Sequence, residues 1–232
     1  DIYLPSRQDF RRDFSTGSSI NYLENLELSV AIRFHLATQL YEFVENVLSG
    51  NAPEANAISK VLEFNGYTLR ISRNLDHAKA YLSERYNSNM NVRYGMLASA
   101  RDKDLTKHGI MKGFRSPGEV GRGKYGPWYT DGICNRLESV ATEFGAQGLE
   151  VDGCLLAWGS DFIRENGTWS NKYASKYRDA GRIKDALALR TNAYRVLLTR
   201  GRDGSTVFIP HIHGKTEETY EYLKQCGFVD LV

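Results

Sequence analysis

The sequence predicts an α/β fold, a mainly parallel sheet with helices on both faces. Three observations predict it. Short apolar runs at residues 67–71, 92–98, 153–158 and 206–210 alternate with stretches of helical periodicity. Such alternation suits strands joined by helical crossovers, which cover the sheet from both sides. With 232 residues and 41% hydrophobic content, the chain can also bury a sizeable core.

The elements follow in order. Residues 1–25 are polar and irregular and read as an entry segment, with the main domain spanning 26–232. Residues 26–34 turn apolar and read as a strand carrying Arg33 near its end. Leu36, Leu40, Phe43, Val44, Val47 and Leu48 have helical spacing, and Ser49-Gly50 stops that helix. A second helix at 55–64 closes at Asn65-Gly66, and a strand follows at 67–71. Asn74 caps a helix to Tyr86, with Leu75, Ala78, Tyr81 and Leu82 on one face. After the strand at 92–98, residues 109–135 hold seven glycines and two prolines and read as the longest loop. Strands at 138–144 and 153–158 flank a polar turn. Asn166-Gly167 suits a type I′ hairpin within 161–170, part of an insertion at about 159–184. A helix at 185–199, a strand at 206–210 and a helix at 217–226, ended by Gly227, complete the chain.

Composition narrows the function classes. No apolar run approaches the roughly 20 residues of a membrane span, so no membrane partner is expected. No secretory signal is visible, and the chain starts without Met, which reads as an excised fragment. Cys134, Cys154 and Cys226 lie far apart, fitting a reducing, cytoplasmic setting. Net charge is only +2, yet residues 164–202 hold ten Lys/Arg against three Asp/Glu. A local basic field of this kind suits phosphates.

Residues 118–125, ending in Gly123-Lys124-Tyr125, nearly fit a nucleotide phosphate loop. The loop's mechanism needs a buried strand before it, a helix after it and a hydroxyl for magnesium. Ser116-Pro117 precedes it, Tyr125 replaces Ser/Thr, and Gly126-Pro127 is expected to break any helix. The segment is therefore set aside as a phosphate loop.

Two other segments carry the chemistry. Thr142-Glu-Phe-Gly-Ala-Gln147-Gly148-Leu-Glu150 is a glycine-broken turn leading into an apolar run. Tyr194-Arg195-Val-Leu-Leu-Thr-Arg200-Gly-Arg202 is helix-like and ends in two arginines. A carboxylate such as Glu150 can accept two hydroxyl hydrogen bonds, and Gly148 permits close backbone approach. Helical spacing is expected to bring Arg195, Thr199 and Arg202 toward one face. The pair resembles the fifth motif, T-x-x-x-x-[KQ]-G-L-E, and the sixth, Y-[VR]-x-L-T-R-[AG], of superfamily 1 helicases. Gln147 and the upstream Ala141-Thr-Glu-Phe most resemble the Schlafen-like helicase family, which includes bacterial proteins.

The resemblance implies a RecA-like second motor lobe of a DNA/RNA helicase. It implies that Arg200, with Arg33, meets the γ-phosphate of ATP as an arginine finger. Glu150 would reach the ribose, with Gln147, Gly148, Arg195 and Arg202 lining the nucleotide. Thr142, Ser99 and Arg101 would contact single-stranded DNA or RNA. ATP and Mg²⁺ would be held only together with an N-terminal lobe that supplies the phosphate loop, so this lobe alone is expected not to hydrolyse ATP. The rival expectation is a non-catalytic nucleic-acid-binding or protein-interaction domain with a helicase-like fold.

Other residues weigh less. Trp128, Trp158 and Trp169 are candidates for base stacking, with Trp158 better suited to the core. His211 and His213 suggest a metal pair without an evident third ligand.

Overall fold

The computed structural model describes residues 2–4, 20–22, 36–87, 91–110, 125–175 and 183–231. The expected strand at 26–34, Arg33 and the segment 118–124 lie outside the described residues. The chain divides into two compact units, residues 1–38 and 39–232. The first holds a parallel strand pair, β1 (Ile2–Leu4) with β2 (Ile20–Tyr22), in a stretch expected to be irregular.

The second unit carries the main sheet. In chain order the elements are α1 (Ala37–Ser49, shared with the unit boundary), α2 (Ala52–Phe64), β3 (Thr68–Ser72), α3 (Leu75–Tyr86) and β4 (Tyr94–Ala98). Then come α4 (Tyr125–Thr130), β5 (Val140–Thr142), β6 (Val151–Ala157), β7 (Ile163–Glu165) and β8 (Thr168–Ser170). The last are α5 (Ala186–Leu198), β9 (Gly201–Phe208), α6 (Glu217–Gln225) and β10 (Val229–Asp230). Local chemistry sets several boundaries. Asn74 Oδ1 accepts the Asp76 amide at 2.8 Å, and Asp185 Oδ1 accepts the Ala188 amide at 2.8 Å. Asn166 and Gly167 both adopt positive φ, as the type I′ turn between β7 and β8 demands.

Six strands form one parallel sheet in the order β10-β3-β9-β6-β4-β5. Its two faces pack against different helices. Leu155 and Ala157 of β6 join Met96, Ala98 and Val140 against Ala78, Leu82 and Tyr86 of α3. Cys154, one residue from Leu155, points to the opposite face, its Sγ 4.0 Å from the Leu197 carbonyl of α5. Helices therefore cover both faces, the α/β, RecA-like arrangement expected. Close approach requires Gly153 on the α3 side, where an added Cβ would overlap the Tyr86 ring.

Four expectations change. The strand expected at 138–144 is only Val140–Thr142. The long loop contains α4 and a 3₁₀ turn, Ile133–Arg136. Pro127 sits in the first turn of α4, where its missing N–H has no intrahelical partner to lose, so Gly126-Pro127 does not break the helix. β9 begins at Gly201, five residues before the apolar run that announced it. Pairing with β3 and β6 on either side extends the strand through polar residues.

Candidate functional site

The turn after β5 starts as one tight coil. The Ala146 amide donates to the Thr142 carbonyl at 2.8 Å, and the Leu149 amide to the Ala146 carbonyl at 3.1 Å. Gly148 takes φ +83° with open space around it, and Gln147 and Gly148 are exposed. β5 and β6 run parallel on either side of β4, so the segment must travel from the ends of the strands back to their starts. Thr142 and Glu150 consequently lie at opposite ends of the strands.

The second motif meets this turn at the strand starts. Helix α5 stops at Leu198, and Arg200 leads directly into β9. The Val151 amide donates to the Arg200 carbonyl at 2.9 Å, which sets Glu150 and Arg200 side by side ahead of the neighbouring strands β6 and β9. Arg200 is buried, 6% exposed. Its Nη1 donates to the carbonyls of Leu149 (3.0 Å) and Ala146 (3.3 Å), its Nε to Val196 O (2.9 Å) and its Nη2 to Thr199 Oγ1 (3.3 Å). Arg200 thus clamps the first motif to the end of the second.

The other two arginines of the motif diverge. The helix ends before Arg202, so Arg195, Thr199 and Arg202 do not share a helical face. Arg202 lies on β9, with Nη1 3.5 Å from Asp152 Oδ1. Arg195 pairs with Glu45 of α1 and bonds Asn192.

At the opposite end, the strands converge on a buried polar cluster that sequence reasoning missed. Arg190 of α5, 3% exposed, donates through Nη2 to Glu143 (2.7 Å) and through Nη1 to Ser99 Oγ (2.9 Å) and Asp161 (3.2 Å). Ser99 donates to Asp161, and the Tyr194 hydroxyl donates to the other Asp161 oxygen at 2.7 Å. Glu143 also accepts the Ala100 amide at 2.7 Å. Burial pushes the Asp161 carboxyl up to about 6. The Arg190 charge pulls it down, Asp102 pushes it up, and the Ser99 and Tyr194 hydrogen bonds pull it down. Burial also lifts the Tyr194 phenol well above its usual range.

Ser99 sits at the centre of this cluster with no exposed surface. Expected as a direct phosphate ligand, it is instead an internal support: its Oγ accepts the Arg101 amide at 3.0 Å. Arg101 is half-buried at the rim, while Thr142 is buried at the end of β5. Beside the cluster, Asp102 accepts the amides of Asp104 (2.9 Å), Leu105 (2.7 Å) and Ser160 (2.7 Å). Asp104 in turn accepts the Ser160 hydroxyl at 2.7 Å and faces Lys215 at 3.4 Å.

The tryptophans serve packing. Trp158 is fully buried, Trp128 lies against Gly95, and Trp169 stacks on Phe162 with centroids 4.5 Å apart. His211 Nδ1 lies 3.1 Å from Glu217, and no cluster of three or more metal-binding side chains occurs among the described residues. No helix among the described residues is long and apolar enough to cross a membrane.

A family model described as Schlafen group 3, DNA/RNA helicase domain, matches residues 7–211. No curated protein matches the chain.

Proposed function

The chain belongs to the Schlafen group 3 DNA/RNA helicase-domain family, and from that premise we propose that it is the second RecA-like lobe of an ATP-driven nucleic-acid motor. One observation carries the proposal. Glu150 and Arg200, fifty residues apart in sequence, stand side by side at the starts of β6 and β9, with the Val151 amide on the Arg200 carbonyl and the Arg200 guanidinium on the Leu149 carbonyl. In this reading an N-terminal lobe supplies the phosphate loop and Mg²⁺, and the cleft closes over this end of the sheet. Glu150 meets the ribose hydroxyls, beside the Gln147-Gly148 turn. Arg200 exchanges a carbonyl contact for an oxygen of the γ-phosphate, where a planar guanidinium spreads charge over the transferring group. Arg195 and Arg202 are further cations of the same motif. At the far end, Arg101 meets the phosphates of a single strand of DNA or RNA, with Ser99 holding its backbone and Thr142 anchoring the turn.

Kinetics on the protein joined to its N-terminal lobe test the assignment. Arg200→Ala should lower kcat by about 10³–10⁵ while changing nucleotide affinity far less. Glu150→Ala should weaken ATP binding, because the ribose contact exists before and during the reaction. Near-normal turnover by a folded Arg200→Ala protein would sink the arginine-finger role.

A second reading draws on a specific observation. Arg200 is already engaged by four acceptors, as a purely structural brace would be. A non-catalytic nucleic-acid-binding domain would keep that brace, lose stability on its removal, and show no ATP turnover in any context.

A further inference from the structure

Trp128 of α4 and Arg200 line one small cavity, together with Leu97, Ala146, Leu149 and Val151. Its volume is about 10 Å³, too little for any ligand beyond a single water. Two features seat the indole there. Gly95 of β4 has no side chain, and a Cβ on it would stand 2.8 Å from Trp128 Cζ2 and Cη2. Arg93, just before β4, donates through Nε to Tyr129 O (2.8 Å) and through Nη2 to Thr130 O (3.2 Å), which ties the end of α4 to the same strand.

Trp128 is 3% exposed, and its Nε1 has no acceptor among the described residues. Packing alone does not account for that N–H. An apolar ring fills such a seat without burying a donor, and a buried donor with no acceptor forgoes its hydrogen bonds to water. The same cavity wall carries Ala146 and Leu149, whose carbonyls Arg200 Nη1 holds. These two carbonyls differ. Ala146 O also accepts the Leu149 amide at 3.1 Å, whereas Leu149 O accepts from Arg200 alone among the described residues. Once Arg200 turns to a γ-phosphate, Leu149 O is the group that loses its donor.

We propose that Trp128 is a positioning residue for Arg200: when the guanidinium leaves Leu149 O, the Trp128 indole N–H takes that carbonyl over. The proposal rests on the arginine-finger reading above and adds to it the donor that replaces Arg200. With Arg200 docked, the indole N–H is unpaired. With Arg200 on the phosphate, the indole, Leu149 O and the guanidinium all have partners. The exchange favours release of the guanidinium and keeps the turn before Glu150 fixed while Arg200 serves the phosphate.

NMR on protein carrying nitrogen-15 tryptophan reads the exchange directly. The Trp128 indole N–H signal should move downfield when Arg200→Ala frees Leu149 O. It should move the same way in the unsubstituted protein, joined to its N-terminal lobe, on addition of ADP, Mg²⁺ and aluminium fluoride, an analogue of the transferring phosphoryl group. This second measurement needs no substitution, so it stands even if Arg200→Ala fails to fold. In kinetics, Trp128→Phe should lower kcat by about 2- to 10-fold, the value of one hydrogen bond, with nucleotide affinity unchanged. Added to Arg200→Ala it should lower kcat no further, because Trp128 acts through Arg200. An indole signal that stays in place under the analogue overturns the exchange, even where Arg200→Ala cripples turnover and so upholds the arginine finger. Near-normal turnover by a folded Arg200→Ala protein overturns both.

Discussion

Arg200 and Leu149 are joined across fifty-one positions by a 3.0 Å hydrogen bond from the guanidinium Nη1 to the main-chain carbonyl. The same nitrogen reaches Ala146 O, so one cation fixes the turn that ends in Glu150.

Arg200→Ala should therefore also destabilise the fold. It leaves buried carbonyls without a donor, and hydrogen bonds to charged groups contribute about 1.5–3 kcal/mol each. A loss of roughly 2–4 kcal/mol is expected from urea unfolding at constant m-value. Arg200→Lys should recover part of the stability, because an ammonium donates to one or two carbonyls, yet not the phosphoryl-transfer role, which needs the planar fork. Equal recovery of both would argue that Arg200 acts only as a brace.

Arg190 should be costlier than any surface arginine. Arg190→Met removes the cation between Glu143 and Asp161 and leaves two buried carboxylates facing each other. Breaking such a pair costs about 3–5 kcal/mol. Arg195→Met, which loses a pair with the 57% exposed Glu45, should cost no more than about 1 kcal/mol. Thermal unfolding of the two variants side by side checks the ranking.

Asp161 makes a pH prediction with a definite sign. Its folded carboxyl titrates at about 6, above the ordinary 3.8, so between these values the folded state holds more proton than the unfolded one. Its contribution to stability is then greatest below about pH 4 and falls as pH rises to about 6. Asp104 runs the opposite way, because the Ser160 hydrogen bond and Lys215 hold its carboxyl low. Subtracting an Asp161→Asn variant isolates the first effect. The stability difference, wild type minus variant, should decline between pH 4 and pH 6, and a rising difference would contradict the buried position assigned to Asp161.

Two glycines should respond differently to alanine. At Gly159 an added Cβ would overlap the Asp102 carboxylate, which already serves three amides, so Gly159→Ala should cost about 1–3 kcal/mol through displacement of that group. At Gly148 there is open space, and only φ +83° opposes a side chain. Gly148→Ala should cost about 1–2 kcal/mol. Relief by Asp102→Ala of the Gly159→Ala penalty, and not of the Gly148→Ala penalty, would distinguish a clash from backbone strain in a double-mutant cycle.

The sequence by itself determined what local chemistry can specify. Asn74 announces its helix because a cap is written within three residues. Asn166-Gly167 announces its hairpin because only a few residues tolerate two successive positive φ values. The apolar run of β6 declares a buried strand, and the two motifs declare themselves by residue type and spacing. The tertiary structure alone decided what those motifs touch. Strand order brings the starts of β6 and β9 together, and this turns Arg200 into a clamp on Leu149 and ends its helix before Arg202. It gathers Ser99, Glu143, Asp161 and Arg190, drawn from four separate segments, into one buried cluster, and so moves Ser99 from an expected surface ligand to an internal support. No local pattern marks such a cluster, because each member reads alone as an ordinary polar residue near the end of an element. Only packing removes water from all four together, and the loss of water makes their charges and hydrogen bonds depend on one another.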